Sequence, residues 1–410
     1  MGRYTVNLTK ANQPLIMLKN SCFYLVLILY CYSVNAKPYI PSDMNEVLEQ
    51  LPNNPDLSSS NYKSLRTQLL ANPNNVSVAT KLARLYIERS RDEGDPRYLG
   101  YAQAALAPWW HLDKPPTEVI VLRATLYQST HQFNQSLKDL DVALKLDQNN
   151  GQAWITRATI LQVQGEYAQA LKSCERLYAL APPLITLTCV ANVRNLSGDA
   201  RKSYQDLKLG YQQAADNNPG IQVWVLTLLA EMAVRLDDAV AADKTFQQAI
   251  NIEKPDSYLL GAYSDFLLDQ NRPQEVINLL KNKTNNDALL LRYAEALKNA
   301  HSNQAELQIQ SLQQRFAAAM LRADTVHQRE QSRFELRLMH NPVKALEIAK
   351  QNWLIQKEPA DARVYLEAAV ATDNKNAVAT MVNWLAISHL EDAALKKVLN
   401  QYQKNDDPKI

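Results

Sequence analysis

An internal period of 34 residues constrains this chain more than any other feature. Set "TEVIVLRATLYQSTHQFNQSLKDLDVALKLDQNN" (residues 117–150) above "GQAWITRATILQVQGEYAQALKSCERLYALAPPL" (residues 151–184), and Arg123-Ala124-Thr125 falls on Arg157-Ala158-Thr159, 34 residues later. Gln128 falls on Gln162, Phe133 on Tyr167 and Leu137 on Leu171. Each unit carries an apolar stripe at helical spacing, a short polar turn and a second stripe, which predicts a helical hairpin repeated in tandem. One such hairpin cannot bury its apolar face alone, so a core forms only by stacking on the next unit. Composition agrees: only 9 of the 410 residues are glycine, which suits helices with short connections.

In residues 151–184, Trp154 lies early in the first helix and Ala158 has the small side chain that lets helices approach where they cross. Gly165 sits at the turn, Ala170 is the small residue of the second helix and Pro182 closes the unit. In this pattern the chain resembles the tetratricopeptide repeat family, in a form expected from exported bacterial proteins. The resemblance runs with drift from about residue 75 to 361 and is firmest over 117–256. It implies an all-α, right-handed superhelical solenoid of helix-turn-helix repeats. The expected organisation is a signal peptide (1–36), a linker with short helices (37–70), a solenoid (71–300), irregular repeat-like hairpins (301–396) and a flexible tail (397–410). Within the linker a short helix is expected at 43–50. The segment "RSRDEGDPRYLG" (89–100) reads as an over-long turn in the first unit.

The leader has the character of a secretory signal. Lys19 precedes the apolar run "CFYLVLILYCY" (22–32), and Val34 and Ala36 are small residues before a cut after Ala36. That run is shorter than the roughly 20 residues a spanning helix needs, so no stable membrane insertion is expected after cleavage, and the mature chain is placed in the periplasm. The formal charge is +2, but residues 1–36 hold three cations and no acid, leaving −1 for the rest. Nothing in that balance calls for nucleic acid. Cys174 and Cys189 remain after cleavage. In an oxidising compartment they form either a disulfide or two buried thiols.

No chemistry of catalysis stands out. The six histidines (111, 131, 301, 327, 340 and 389) are scattered without metal-ligand spacing. Phosphate-loop glycines and a Gly-x-Ser-x-Gly elbow are also missing from the sequence. No catalytic residue, metal ligand or cofactor is therefore assigned. The repeat resemblance implies instead a concave groove lined by the first helices, at their second, fifth, ninth, twelfth and thirteenth positions. This places Thr125, Gln128, Thr159, Gln162, Asn192, Asn195, Glu231, Arg235 and Asp265 toward a ligand, with Trp224 and Tyr258 at second positions. Amide and hydroxyl side chains suit the backbone of an extended peptide. The fifth positions (Val121, Ile155, Thr188, Thr227, Gly261) lack the basic residues of a carboxylate clamp.

The resulting expectation is a non-enzymatic scaffold or adaptor for partner proteins in the envelope. Two other readings are a polysaccharide- or peptidoglycan-binding module, and an accessory enzyme with its site in the C-terminal third. Arg322, Arg329, Arg333 and Arg337 share one helix face. That face reads either as a grip for an anionic partner or as a solvated face of mixed charge, with Asp324, Glu330 and Glu335 interleaved. Finally, "APWW" (107–110) at the exit of the first unit reads as an aromatic plug sealing a terminal seam.

Overall fold

The computed structural model describes residues 60–214, 218–321 and 326–406. The expected signal peptide, the helix at 43–50, Arg322, Asp324 and residues 407–410 lie outside them. The described residues form 21 helices and no strand. Helix α1 (Ser60–Ala71) precedes the first hairpin, α2 (Val76–Glu93) with α3 (Arg97–Ala105), and a single turn, α4 (Ala107–Trp110), follows it. Eight more hairpins come in sequence. They are α5 (Thr117–Ser129) with α6 (Phe133–Leu146), α7 (Gly151–Val163) with α8 (Tyr167–Glu175), and α9 (Pro183–Asn195) with α10 (Ala200–Gln213). Next come α11 (Pro219–Arg235) with α12 (Ala239–Ile250), and α13 (Ser257–Asp269) with α14 (Pro273–Leu280). The last three are α15 (Asp287–Asn299) with α16 (Ala305–Leu321), α17 (Gln328–Arg337) with α18 (Pro342–Trp353), and α19 (Pro359–Ala371) with α20 (Lys375–Ser388). A final helix, α21 (Ala393–Asp406), ends the array.

Local chemistry starts and turns these helices in a repeated way. The side chains of Asn75, Asn150, Asn218, Asp256 and Asn286 cap α2, α7, α11, α13 and α15, each accepting an N–H from the first turn. Between the two helices of every described hairpin one residue adopts a left-handed backbone. These are Gly94, His131, Gly165, Gly198, Asp237, Asn271, His301, His340 and Asp373, with φ from +47° to +104°. Besides glycine, Asn, Asp and His are the types that tolerate this region best. His389 has the same conformation at the end of α20. Four of the six scattered histidines are thus turn-formers.

The first helices build the interior. α2, α5, α7, α9, α11 and α13 each lie beside the next, and α13 returns to touch α2, closing a ring of six. Asn286 Nδ2 bonds the Gly94 carbonyl across that closure at 3.5 Å. The chain then continues as a second turn, α15, α17, α19 and α21, with α21 against α11. The two turns share one apolar core, where Leu161, Tyr167 and Val193 pack with Trp353, Tyr365 and Met381. The whole is a right-handed superhelical solenoid. No described helix is long and apolar enough to cross a membrane.

Three expectations need correction. The segment 89–100 is not one long turn: α2 runs on to Glu93, a stretch of good helix formers, until Gly94 stops it. No break falls at residue 300, because α15 and α16 form one hairpin across it. Residues 397–406 are not tail but helix: buried Leu395 anchors α21, and Val398, Leu399 and Tyr402 pack beside it on the shared core.

Cys174 and Cys189 are joined by a disulfide with an S–S distance of 2.04 Å, tying α8 to α9. The tryptophans of "APWW" are both buried, Trp109 at 9% and Trp110 at 8% exposure. They fill the seam between α2, α3 and α5 with Tyr86, Tyr98, Val119 and Leu122. Trp110 meets Tyr127 edge-on at 5.6 Å, and its carbonyl accepts from Arg123 at 2.6 Å. Tyr101 contributes less to the seal, since half of it is exposed.

Candidate functional site

Six helices at the ordinary packing distance of about 9 Å would enclose a ring whose axes lie about 9 Å from its centre, and subtracting a helix radius of about 5 Å would leave a lumen about 8 Å across, near the width of one extended polypeptide. Its wall is stitched by side chains reaching from each first helix to the next. Asn192 of α9 donates to Gln162 Oε1 of α7 at 3.0 Å. Arg235 Nε of α11 donates to Asn195 Oδ1 of α9 at 2.8 Å. Tyr258 of α13 donates its hydroxyl to Glu231 of α11, 2.9 and 3.1 Å from the two oxygens. Then the links become ionic: Arg292 of α15 to Asp265 at 2.6 Å, Arg333 of α17 to Glu295 at 2.7 Å, and Arg337 to Glu367 of α19 at 2.8 Å.

The second turn closes one end of this lumen, the end where the first helices reach their turns. The Lys357 amide donates to the Val163 carbonyl at 2.7 Å. Gln356 meets His131 Nδ1 at 3.2 Å, and Glu391 accepts the Ala200 amide at 3.3 Å. Arg333 and Arg363 reach back to Asp265 and Asp269, both at 2.5 Å. At the opposite end Gln152 is exposed, and Tyr258 shows 58% of its surface. Burial followed by Glu231 raises the Tyr258 hydroxyl well above the usual phenol range.

The ligand-facing residues expected from the repeat register divide on this frame. Thr125 is buried at 5% exposure and its hydroxyl donates to Val121 O on its own helix. Asn195 is fully buried, donating to Ala200 O and accepting from Arg235. Asp265 lies between Arg292 and Arg333; burial alone would raise its pKa, but the two guanidiniums hold it well below the carboxylate range. These three build the wall and have nothing left to offer a ligand. Gln128, Thr159, Gln162, Asn192, Glu231 and Arg235 keep open surface on the ring, Thr159 the most.

The arginine face of α17 is neither an anion grip nor a solvated surface. Arg329 bonds Asp361 at 2.6 Å and Glu358 at 2.5 Å, while Arg333 and Arg337 take the carboxylates named above. Their partners Glu295, Glu358, Asp361 and Glu367, and the neighbouring arginines Arg292 and Arg363 of the same ladder, were not singled out from sequence. One signal existed: "LLLRYAEAL" (289–297) places an arginine and a glutamate within an apolar run, and in α15 both are buried. Among the described residues no three His, Cys, Asp or Glu side chains come together as a metal-ligand set.

His131 lies in the interface between the two turns. Burial first, and Arg329 second, press its pKa down to about 4. A histidine neutral in the fold but free to take a proton at about pH 6.5 when unfolded adds stability that is complete above that pH. That stability is lost as the pH falls from 6.5 toward 4. The urea midpoint of the wild type is therefore expected to drop over this window, and His131→Asn, which retains a left-handed turn, to flatten the drop. Identical profiles for the two proteins would show that His131 is not responsible.

A repeated hairpin, small residues at the crossings and a wall of first helices are now in place. The fold is tetratricopeptide-like. No family model and no curated protein matches the sequence. Solved structures similar to it include the Cut9–Hcn1 hetero-tetramer of the APC/C, at 13% identity over 82% of this chain and 51% of that one, with a TM-score of 0.38. The human IFIT1 dimer with PPP-AAAA is similar at 15% identity over 87% and 86% of the two chains, TM-score 0.39. Yeast Tom70 is similar at 16% identity over 78% and 61%, TM-score 0.34. This chain spans about half the length of the chain matched in the Cut9–Hcn1 structure. Likeness at this level extends to no ligand, partner or activity.

Proposed function

We propose that this protein is a non-enzymatic scaffold, exported to the periplasm, that holds an extended segment of a partner protein in the lumen of its first superhelical turn. The observation that carries this reading is the contrast between the two turns. In the second turn, inner-face charges are matched by the protein's own arginines and carboxylates. On the first-turn wall, Gln128, Thr159, Gln162, Asn192, Glu231 and Arg235 retain surface in a channel of peptide width. Hydrogen-bonding groups spaced from helix to helix suit a backbone whose N–H and C=O groups recur along its length. The closed end makes the lumen a cup, so the segment enters from the end where Gln152 and Tyr258 are exposed. The Cys174–Cys189 bond and the signal-like leader support an oxidising compartment.

The test is in-cell crosslinking from a photoreactive residue at Thr159 or Gln162, with one at Tyr178, 70% exposed, as a surface control. A discrete protein adduct from the two lumen sites and not from Tyr178 is the expected result. Adducts from Tyr178 alone would place the binding surface on the outside and sink the lumen reading. Failure at all three sites would sink the scaffold reading itself.

A further inference from the structure

We infer that the lumen reads a basic side chain of its partner, received by the carboxylate of Glu231 and the ring of Tyr258; this rests on the peptide reading above. Of the carboxylates on or next to the inner face, Asp265, Asp269, Glu295, Glu358, Asp361 and Glu367 are matched by arginines of the chain itself, at 2.5–2.8 Å. Glu231 has no ion-pair partner among the described residues. The nearest candidate on its own helix is Arg235, one turn on, but that guanidinium turns to Asn195 of α9 instead. The one hydrogen bond at Glu231 is the Tyr258 hydroxyl, shared between both oxygens. Two carboxylate oxygens accept about four hydrogen bonds between them, so this carboxylate keeps most of its capacity while largely removed from water.

Two further features select a cation. Tyr258 is held by its hydroxyl and leaves 58% of its surface open, presenting a ring face beside the carboxylate. Trp224 lies seven residues before Glu231 in α11, two turns away on the same face, and is half-buried. An aromatic face next to a carboxylate attracts an ammonium or guanidinium both through the ring quadrupole and through charge. Burial, with Glu358 and Asp265 adding to it and Arg235 and the Tyr258 hydroxyl opposing, leaves the Glu231 carboxyl raised above its ordinary range. A carboxylate in that setting gains from a ligand cation what it lacks from the protein.

The experiment titrates the full chain with fluorescent decapeptide pools, acetylated and amidated at their ends, by anisotropy. The pools share a Ser/Thr/Gly/Val background and differ at one central residue: Lys, Arg, norleucine or Glu. The Lys and Arg pools are expected to bind about thirtyfold tighter than the norleucine pool, the sum of a charged hydrogen bond and a cation–ring contact at the lower end of their ranges. Glu231→Gln should bring the Lys and Arg pools to the level of the norleucine pool with the melting temperature unchanged, and Tyr258→Leu should reduce the preference. Equal binding of Lys and norleucine pools, or a preference that survives Glu231→Gln, would overturn this inference and leave the lumen reading standing. Binding of no pool at all, with no adduct from Thr159 or Gln162, would overturn both.

Discussion

Arg333→Ala is expected to lower the unfolding free energy by about 3–5 kcal/mol, the range for deleting one partner of a buried ion pair. Arg333 is 13% exposed and donates to both oxygens of Glu295, at 2.7 and 2.8 Å, and to Asp265 at 2.5 Å. Alanine leaves two carboxylates facing each other in a site with little water. Asp265 keeps Arg292 and Glu295 keeps the more distant Arg337 at 3.5 Å, so the damage centres on Glu295. The same arginine joins α17 to both α13 and α15, so its loss loosens the second turn from the first. Arg97→Ala is the control: its pair with Asp95 is 56% exposed on the arginine side, and such pairs contribute about 0–1 kcal/mol. Urea denaturation followed by circular dichroism reads both. Equal, small losses would mean that the ladder is an ornament of the wall and not what holds the turns together.

Trp109→Ala is expected to cost a comparable amount, about 3–5 kcal/mol for a buried aromatic replaced by a methyl. The indole sits in a core of Tyr86, Tyr98, Leu106 and Leu122, and the short helix that carries it bridges α3 and α5. A terminal repeat has a neighbour on one side only, so a void there weakens the point where α2 must also meet α13 to close the ring. Crosslinking from Thr159 should survive in the fraction that stays folded. Unchanged stability with lost crosslinking would instead make the tryptophans part of the binding surface. These two substitutions probe different bonds in the same closure, one ionic between turns and one apolar within the first.

Much of the fold was legible because hairpin signals are local. The match of Arg123-Ala124-Thr125 to Arg157-Ala158-Thr159 reports small residues where helices cross, and that requirement recurs with every unit. The left-handed turn residue was legible most plainly as glycine, at Gly165. In other units the same place is filled by His131, His301, His340, Asn271, Asp237 or Asp373, so the histidines looked like scattered side chains without a common role. The candidate site was legible in part. The register brought Gln162, Asn192, Glu231 and Arg235 to the inner face, but it also offered Thr125, Asn195 and Asp265, which the wall has taken. What a side chain at a groove position meets depends on a helix up to 68 residues away in sequence, as between Asp265 and Arg333, and no local pattern encodes that meeting.

By itself the sequence determined the unit: its length, its two helices, its turn and the face each helix buries. Those follow from spacing, small residues and caps, all acting within a few turns of helix. Tertiary structure alone decided that six units close a ring and that the later units fold over one end of it. Closure depends on the rotation between neighbours, a small quantity set by side-chain packing at each seam and summed around the ring. No single unit contains that sum. It is also what left Glu231 without an ion-pair partner among the described residues.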